Sequence, residues 1–134
     1  MSGDVIVNKI ETIGRCIRRV REEYANDAKH LNDYTKQDSM MLNLQRACEA
    51  CIDLAMHIVS EQNLGVPQSS RDAFDLLRKH QIIDGALSVR LKAMVGFRHI
   101  AVHDYQANQV AILQSIIENH LDDFIHFTET VKRL

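Results

Sequence analysis

Apolar residues recur along this chain at intervals of three and four, the period of helices that bury one face. From Val5 to about Leu31, the positions Ile6, Ile10, Ile13, Ile17 and Val20 form one stripe. Arg15, Arg18, Arg19 and Arg21 lie outside that stripe, followed by Glu22 and Glu23. The polar run Asn32-Asp33-Tyr34-Thr35 reads as a break, and Asp38 or Ser39 can cap the next helix. A second stripe follows through Met41, Leu44, Ala47, Cys48, Cys51, Leu54, Ala55, Ile58 and Val59. Asn63-Leu64-Gly65, with Pro67 beyond, supplies a stop.

Ser69 or Ser70 can cap a short third helix carrying Ala73, Phe74, Leu76 and Leu77. Asp84-Gly85 marks a turn or a new start. A fourth stripe runs through Leu87, Leu91, Met94, Val95, Ile100 and Val102, and Asn108 breaks or caps after it. The fifth runs from Val110 through Leu113, Ile116, Ile117, Leu121, Phe124 and Ile125 to Phe127. No segment alternates as a strand does, and no repeat or low-complexity stretch is visible. The pattern predicts an all-α protein: an antiparallel four-helix bundle with one additional short helix, as one domain over residues 1–134.

Composition narrows the picture. The chain has 134 residues with only 5 Gly and 1 Pro, which disfavours a many-turned β fold. Its formal net charge of −2 means that nucleic-acid binding would need a local basic patch. The opening Met1-Ser2-Gly3-Asp4 has no secretory pattern, and no apolar run approaches the ~20 residues of a membrane span. The three cysteines, Cys16, Cys48 and Cys51, cannot all pair within one chain. Cys48 and Cys51 share a helix face with no second ligand pair, so reduced thiols in a cytoplasmic protein are expected.

One segment departs from ordinary helix chemistry. Arg98-His99-Ile100-Ala101-Val102-His103-Asp104-Tyr105 concentrates a guanidinium, two imidazoles, an acid and a phenol in eight residues. On a continuous helix, Arg98, His99, His103 and Tyr105 fall within an arc of about 160°. Arginine suits phosphate because its charge is permanent and its fork binds two oxygens. Histidine, with an unperturbed pKa of about 6.5, suits proton transfer near neutral pH. The phenol can hydrogen-bond to phosphate or base.

Arg98, four intervening residues, His103, one residue and Tyr105 resemble the arginine–histidine–tyrosine signature of the HEPN superfamily. The polar His99 directly after the arginine fits that pattern. The resemblance extends through Gln45 to Val59, Pro67 to Leu77, and Val95-Gly96-Phe97-Arg98, and is closest to the HepT branch of small stand-alone toxins. It implies a helical homodimer whose two motifs form a composite cleft. It also implies an endoribonuclease that needs no metal or other cofactor and acts on RNA such as tRNA or mRNA, not on DNA. The implied partner is an MntA-type minimal nucleotidyltransferase antitoxin that neutralises the toxin by adding AMP to the motif tyrosine, here Tyr105. Arg98 and His103 would be catalytic, with His99 and Tyr105 auxiliary substrate contacts.

RNA carries its own nucleophile, so such an enzyme need only align the 2′-OH, move protons and stabilise charge. The products would carry a 2′,3′-cyclic phosphate. His99 and His103 also form an H-x-x-x-H pair, a spacing that can hold zinc, but no third ligand is obvious. Asp53, polar within the second apolar stripe, can line the cleft or pair with an arginine. Asp104 can stay solvated or bond to Arg98. The arginines of the first helix are either a solvated face or a docking patch. His57, His80, His120 and His126 have no assigned role. The competing reading is a non-catalytic HEPN module that binds nucleotides or docks a nucleotidyltransferase.

Overall fold

A computed structural model describes the backbone of residues 2–103 and 109–134 and the side chains of residues 3–97 and 110–134. Among the described residues there are six α-helices, one short 3-10 helix and no strand. The α-helices are α1 (Ser2–Tyr24), α2 (Tyr34–Glu61), α3 (Ser70–Lys79), α4 (Gly85–His103), α5 (Gln109–Asn119) and α6 (Leu121–Lys132). The 3-10 helix spans Ala28–Asn32. None of the described helices is long and apolar enough to cross a membrane.

α1 ends about two turns earlier than its pattern predicts. Ala25 and Asn26 adopt positive φ, at 50° and 54°, which turns the chain out of the helix without a glycine. The Asp27 carboxylate then accepts the Lys29 N–H at 2.9 Å and starts the 3-10 turn. That turn returns Leu31 to the core, so the apolar stripe continued while the helix did not.

α2 begins at Tyr34, ahead of the expected caps Asp38 and Ser39. Asp33 takes the capping role, accepting the Lys36 N–H at 3.2 Å. Gln37, buried within the first turn, donates to the Leu31 carbonyl at 2.9 Å. α2 stops where Asn63 enters the left-handed region at φ 55° and the Leu64 N–H reaches the Val59 carbonyl at 2.9 Å. Gly65 follows at φ 135°, a conformation that side-chain-bearing residues rarely adopt.

α3 starts with a reciprocal cap. Ser69 Oγ accepts the Asp72 N–H at 3.1 Å, and the Asp72 carboxylate accepts the Gln68 N–H at 2.8 Å. α4 starts with Asp84, whose carboxylate accepts the Leu87 N–H at 2.7 Å. The fifth apolar stripe proves to be two helices. The chain bends at His120, whose φ of −129° and ψ of 1° interrupt the helix without breaking the apolar sequence.

The core is continuous through all six helices. Ile13, Ile17 and Val20 of α1 belong to the same buried cluster as Met40, Leu44, Leu54 and Ile58 of α2. Phe74 of α3 packs edge-on against Phe127 of α6, with ring centroids 5.8 Å apart. Leu87, Leu91, Met94 and Phe97 form the buried stripe of α4. Cys16, Cys48 and Cys51 are buried, and none of them is joined in a disulfide. Burial pushes the Cys51 thiol well above the usual cysteine range, so it is held as an inert apolar group.

Polar clasps set how the helices meet. Lys9 pairs with Asp53 at 3.1 Å near one end of the α1–α2 contact, and Arg19 shares a cleft with Ser39 and Asn43 toward the other. The two helices therefore run antiparallel. Arg21 of α1 reaches Asp122 of α6 at 2.9 Å. Lys92 of α4 reaches Asp75 of α3 at 2.8 Å. Asp123 is buried and bridges two donors: Arg90 Nε at 2.7 Å and His120 Nδ1 at 3.1 Å.

Tyr24 closes α1 onto α5 by donating its hydroxyl hydrogen bond to the Glu118 carboxylate. Burial first, and then the hydrogen bond and charge of Glu118, push the Tyr24 phenol up to about 12. A raised phenol favours the neutral form in the folded state. Its contribution to stability is complete below the unfolded phenol pKa of about 10 and is lost as pH rises toward 12. Thermal melts of wild type and Tyr24→Phe should therefore converge as pH rises from about 10 to about 12, with the wild type losing more over that range. Parallel loss in both proteins would show that the Tyr24–Glu118 bond does not contribute in this way.

Candidate functional site

α4 positions the candidate site because its core stripe ends where the polar segment begins. Leu91, Met94 and Phe97 anchor the last turns before Arg98. The helical backbone continues unbroken through Arg98, His99 and His103. His99 and His103 therefore stand one turn apart along the helical backbone. The side chains of Arg98, His99 and His103 lie outside the described residues, as do Asp104 and Tyr105 altogether.

The surroundings of the segment are described on two sides. On one side, Arg71 of α3 lies across Gly96, two residues before Arg98. A Cβ at Gly96 would stand 3.2 Å from an Arg71 guanidinium nitrogen. The glycine thus leaves room for a second guanidinium close to the motif. Sequence reasoning missed Arg71, since a lone exposed arginine in a short helix carries no signal. Gly96 was legible as part of the segment but not as the seat of that contact.

On the other side, α4 and α5 enclose an open groove of about 720 Å³. Val89, Ala93, Met94 and Phe97 line it from α4, and Ile112 and Ile116 from α5. Val89 is 64% exposed and Ile112 39% exposed, unusual for aliphatic residues in the wall of a groove. Arg90 and His120 sit at its polar end, both already engaged by Asp123. His120, given no role from sequence, thus fixes the corner between α5 and α6 beside the groove.

Asp53, which the sequence left either to line the cleft or to pair with an arginine, pairs with a lysine of α1. It is an exposed residue of α2, and its carboxylate is held by Lys9 at 3.1 Å. Among the described residues no cluster of three or more histidine, cysteine or acidic side chains is placed to hold a metal ion. His99 and His103 lie outside that statement.

The first-helix arginines form a second polar feature. Arg15, Arg18 and Arg19 of α1 face Ser39, Asn43 and Arg46 of α2 across a cleft of about 510 Å³. Arg19 has acid neighbours, Glu22 at 3.6 Å and Glu23 at 3.7 Å. Arg15, Arg18 and Arg46 form no ion pair with a described residue.

This architecture matches known proteins along nearly its whole length. An mRNA nuclease HepT from Shewanella oneidensis is 51% identical over 129 residues, covering 96% of this chain and 97% of that one. A tRNA nuclease HepT from Aphanizomenon flos-aquae is 28% identical over 102 residues, covering 75% of this chain and 69% of that one. Among solved structures, a variant of the MntA–HpeT toxin–antitoxin complex contains a chain that superposes with a TM-score of 0.92 at 50% identity, covering 98% of this chain and 99% of that one. A tri-AMPylated Shewanella oneidensis HEPN toxin in complex with an MNT antitoxin gives 0.91 at 51% identity, covering 98% of both chains. The family described as Ribonuclease HepT-like matches residues 10–131. With an α-helical bundle of the same shape and the arginine–histidine–tyrosine segment at the end of α4, the chain belongs to the HepT-like ribonuclease family.

Proposed function

We propose that residues 1–134 act as one HEPN-like domain, the toxin of a toxin–antitoxin pair, which cuts RNA in the cytoplasm with Arg98 and His103. The observation that carries this reading is the Arg98-x4-His103-x-Tyr105 segment in a chain 51% identical to an mRNA nuclease. That relative favours mRNA over tRNA as the substrate. Buried cysteines outside any disulfide suit a reducing compartment.

The chemistry needs no cofactor. The 2′-oxygen attacks the adjacent phosphorus as His103 takes its proton. Arg98 binds the non-bridging oxygens as charge builds on them. The P–O5′ bond breaks, the 5′-oxygen receives a proton, and a 2′,3′-cyclic phosphate remains. DNA lacks the nucleophile. One imidazole cannot give and take a proton in the same step, so a composite cleft offers a solution. His103 of the partner subunit, or His99, can serve as the acid. Positioned proton transfer of this kind is worth roughly 10²–10⁴-fold.

The apolar groove between α4 and α5 supports a homodimer. It adjoins the motif on the same helix and exposes Val89 and Ile112 to solvent in a single copy. A second copy covering it would bring two motifs together. The antitoxin would be an MntA-like nucleotidyltransferase, by analogy with the complexes of the similar structures. The Tyr105 phenol oxygen would attack the α-phosphate of ATP, releasing pyrophosphate and leaving AMP on the ring. That adduct places negative charge and bulk where an RNA phosphate must sit.

Arg98→Ala and His103→Ala should each abolish growth inhibition while melting and dimerising as wild type does. If both variants stay toxic, the catalytic assignment is wrong. Tyr105→Phe should take up no AMP units, by intact mass, when incubated with the antitoxin and ATP; continued uptake would place the modification elsewhere.

Val89→Glu combined with Ile112→Glu should give a folded monomer by light scattering, with cleavage reduced at least tenfold. A dimer that persists would move the interface away from this groove.

A further inference from the structure

The cleft between α1 and α2 carries charge that the proposed chemistry does not use. Arg15, Arg18, Arg19 and Glu22 fall at helical spacing along one stripe of α1. Ser39, Asn43 and Arg46 fall at the same spacing on α2 and face them. Four arginines stand against one glutamate in a chain whose net charge is −2. The arginines of the two helices act on a common point. Arg15 and Arg46 both pull the Cys16 thiol downward, opposing the larger upward push of its burial. Arg15 and Arg18 of α1 and Arg46 of α2 line the same cleft, and none of the three has an acid partner among the described residues.

Uncompensated cations held close together repel each other, and a polyanion relieves that repulsion. The lining favours nucleic acid over an acidic protein. Every cation in it is arginine, whose fork suits phosphate oxygens. The neutral members, the Ser39 hydroxyl and the Asn43 amide, are the side chains that commonly join arginine at phosphate and sugar. No aliphatic or aromatic side chain lines the cleft, so it lacks the apolar anchor on which a protein interface usually depends. None of the motif residues takes part.

We propose that the α1–α2 cleft is a second RNA contact, in which Arg15, Arg18 and Arg46 hold the phosphate backbone of substrate flanking the scissile bond. This rests on the ribonuclease reading above. Such contacts position the strand without reading its sequence. They would raise affinity for long RNA in a salt-dependent way and leave a minimal substrate untouched.

The test uses the full-length chain. Binding of a labelled single-stranded RNA is measured with His103→Ala, which cannot cut it, and with the same protein carrying Arg15→Gln and Arg46→Gln. The double replacement should weaken binding at least tenfold and flatten the plot of log affinity against log salt by about 1.4, near 0.7 per lost phosphate contact. In the cleavage-competent protein the same replacements should raise KM for long RNA and leave the cleavage rate of a dinucleotide unchanged. Equal affinity and equal salt slope would overturn the proposal. So would retained RNA binding with loss of antitoxin binding, which would make the cleft an acidic-protein dock. A wild-type protein that cuts neither long RNA nor dinucleotide would sink the nuclease reading, whatever the binding result.

Discussion

Asp123 is a buried carboxylate shared by two stretches of chain, and the placement of the motif helix depends on it. Arg90 of α4 and His120 at the α5–α6 corner both reach it. A buried carboxylate without such donors is costly, because desolvation is repaid only by charge-assisted hydrogen bonds. α4 is thereby pinned to the bend, and α5 leaves that bend to form the opposite wall of the apolar groove. The clasp lies two helical turns before Arg98 on the same unbroken helix. Its position therefore sets where the Arg98 segment begins. Lys92 to Asp75 and the seat of Arg71 on Gly96 fix the same helix from the α3 side.

The surface divides into regions with different physical character. Between α4 and α5 it is apolar and open, beside the motif. Between α1 and α2 it is lined by arginines and small polar groups. The first offers the gain of burying aliphatic surface, which suits a second copy of the chain. The second offers charge and hydrogen-bond donors, which suit a phosphate backbone. An enzyme that must grip a long polyanion, cut it at one bond and be silenced at one phenol can use such a separation of tasks.

Much of this was legible in the chain. Apolar spacing gave the helices and most of their core residues, and Ser69 capped α3 as its sequence suggested. The errors have local causes. Ala25 and Asn26 end α1 by adopting positive φ, which composition does not announce. The bend at His120 is hidden because Ile117, Leu121 and Phe124 keep helical spacing across it; only the acids Asp122 and Asp123 in the first turn of α6 hint at a new start. Asp53 was left open between lining the cleft and pairing with an arginine, because a pairing 44 residues distant depends on the α1–α2 register, which selects Lys9. The motif itself was readable because its chemistry is foreign to a helical core. The groove was not, because it is made of residues that look like core in sequence and become surface only when two helices leave them uncovered.

The measurement that bears most directly on this account is cleavage of labelled RNA by the purified chain in excess chelator, with His103→Ala alongside and the product ends analysed. The account predicts cutting by the wild type alone and products ending in a 2′,3′-cyclic phosphate. Cutting that requires an added divalent ion, or undiminished cutting by His103→Ala, would contradict it.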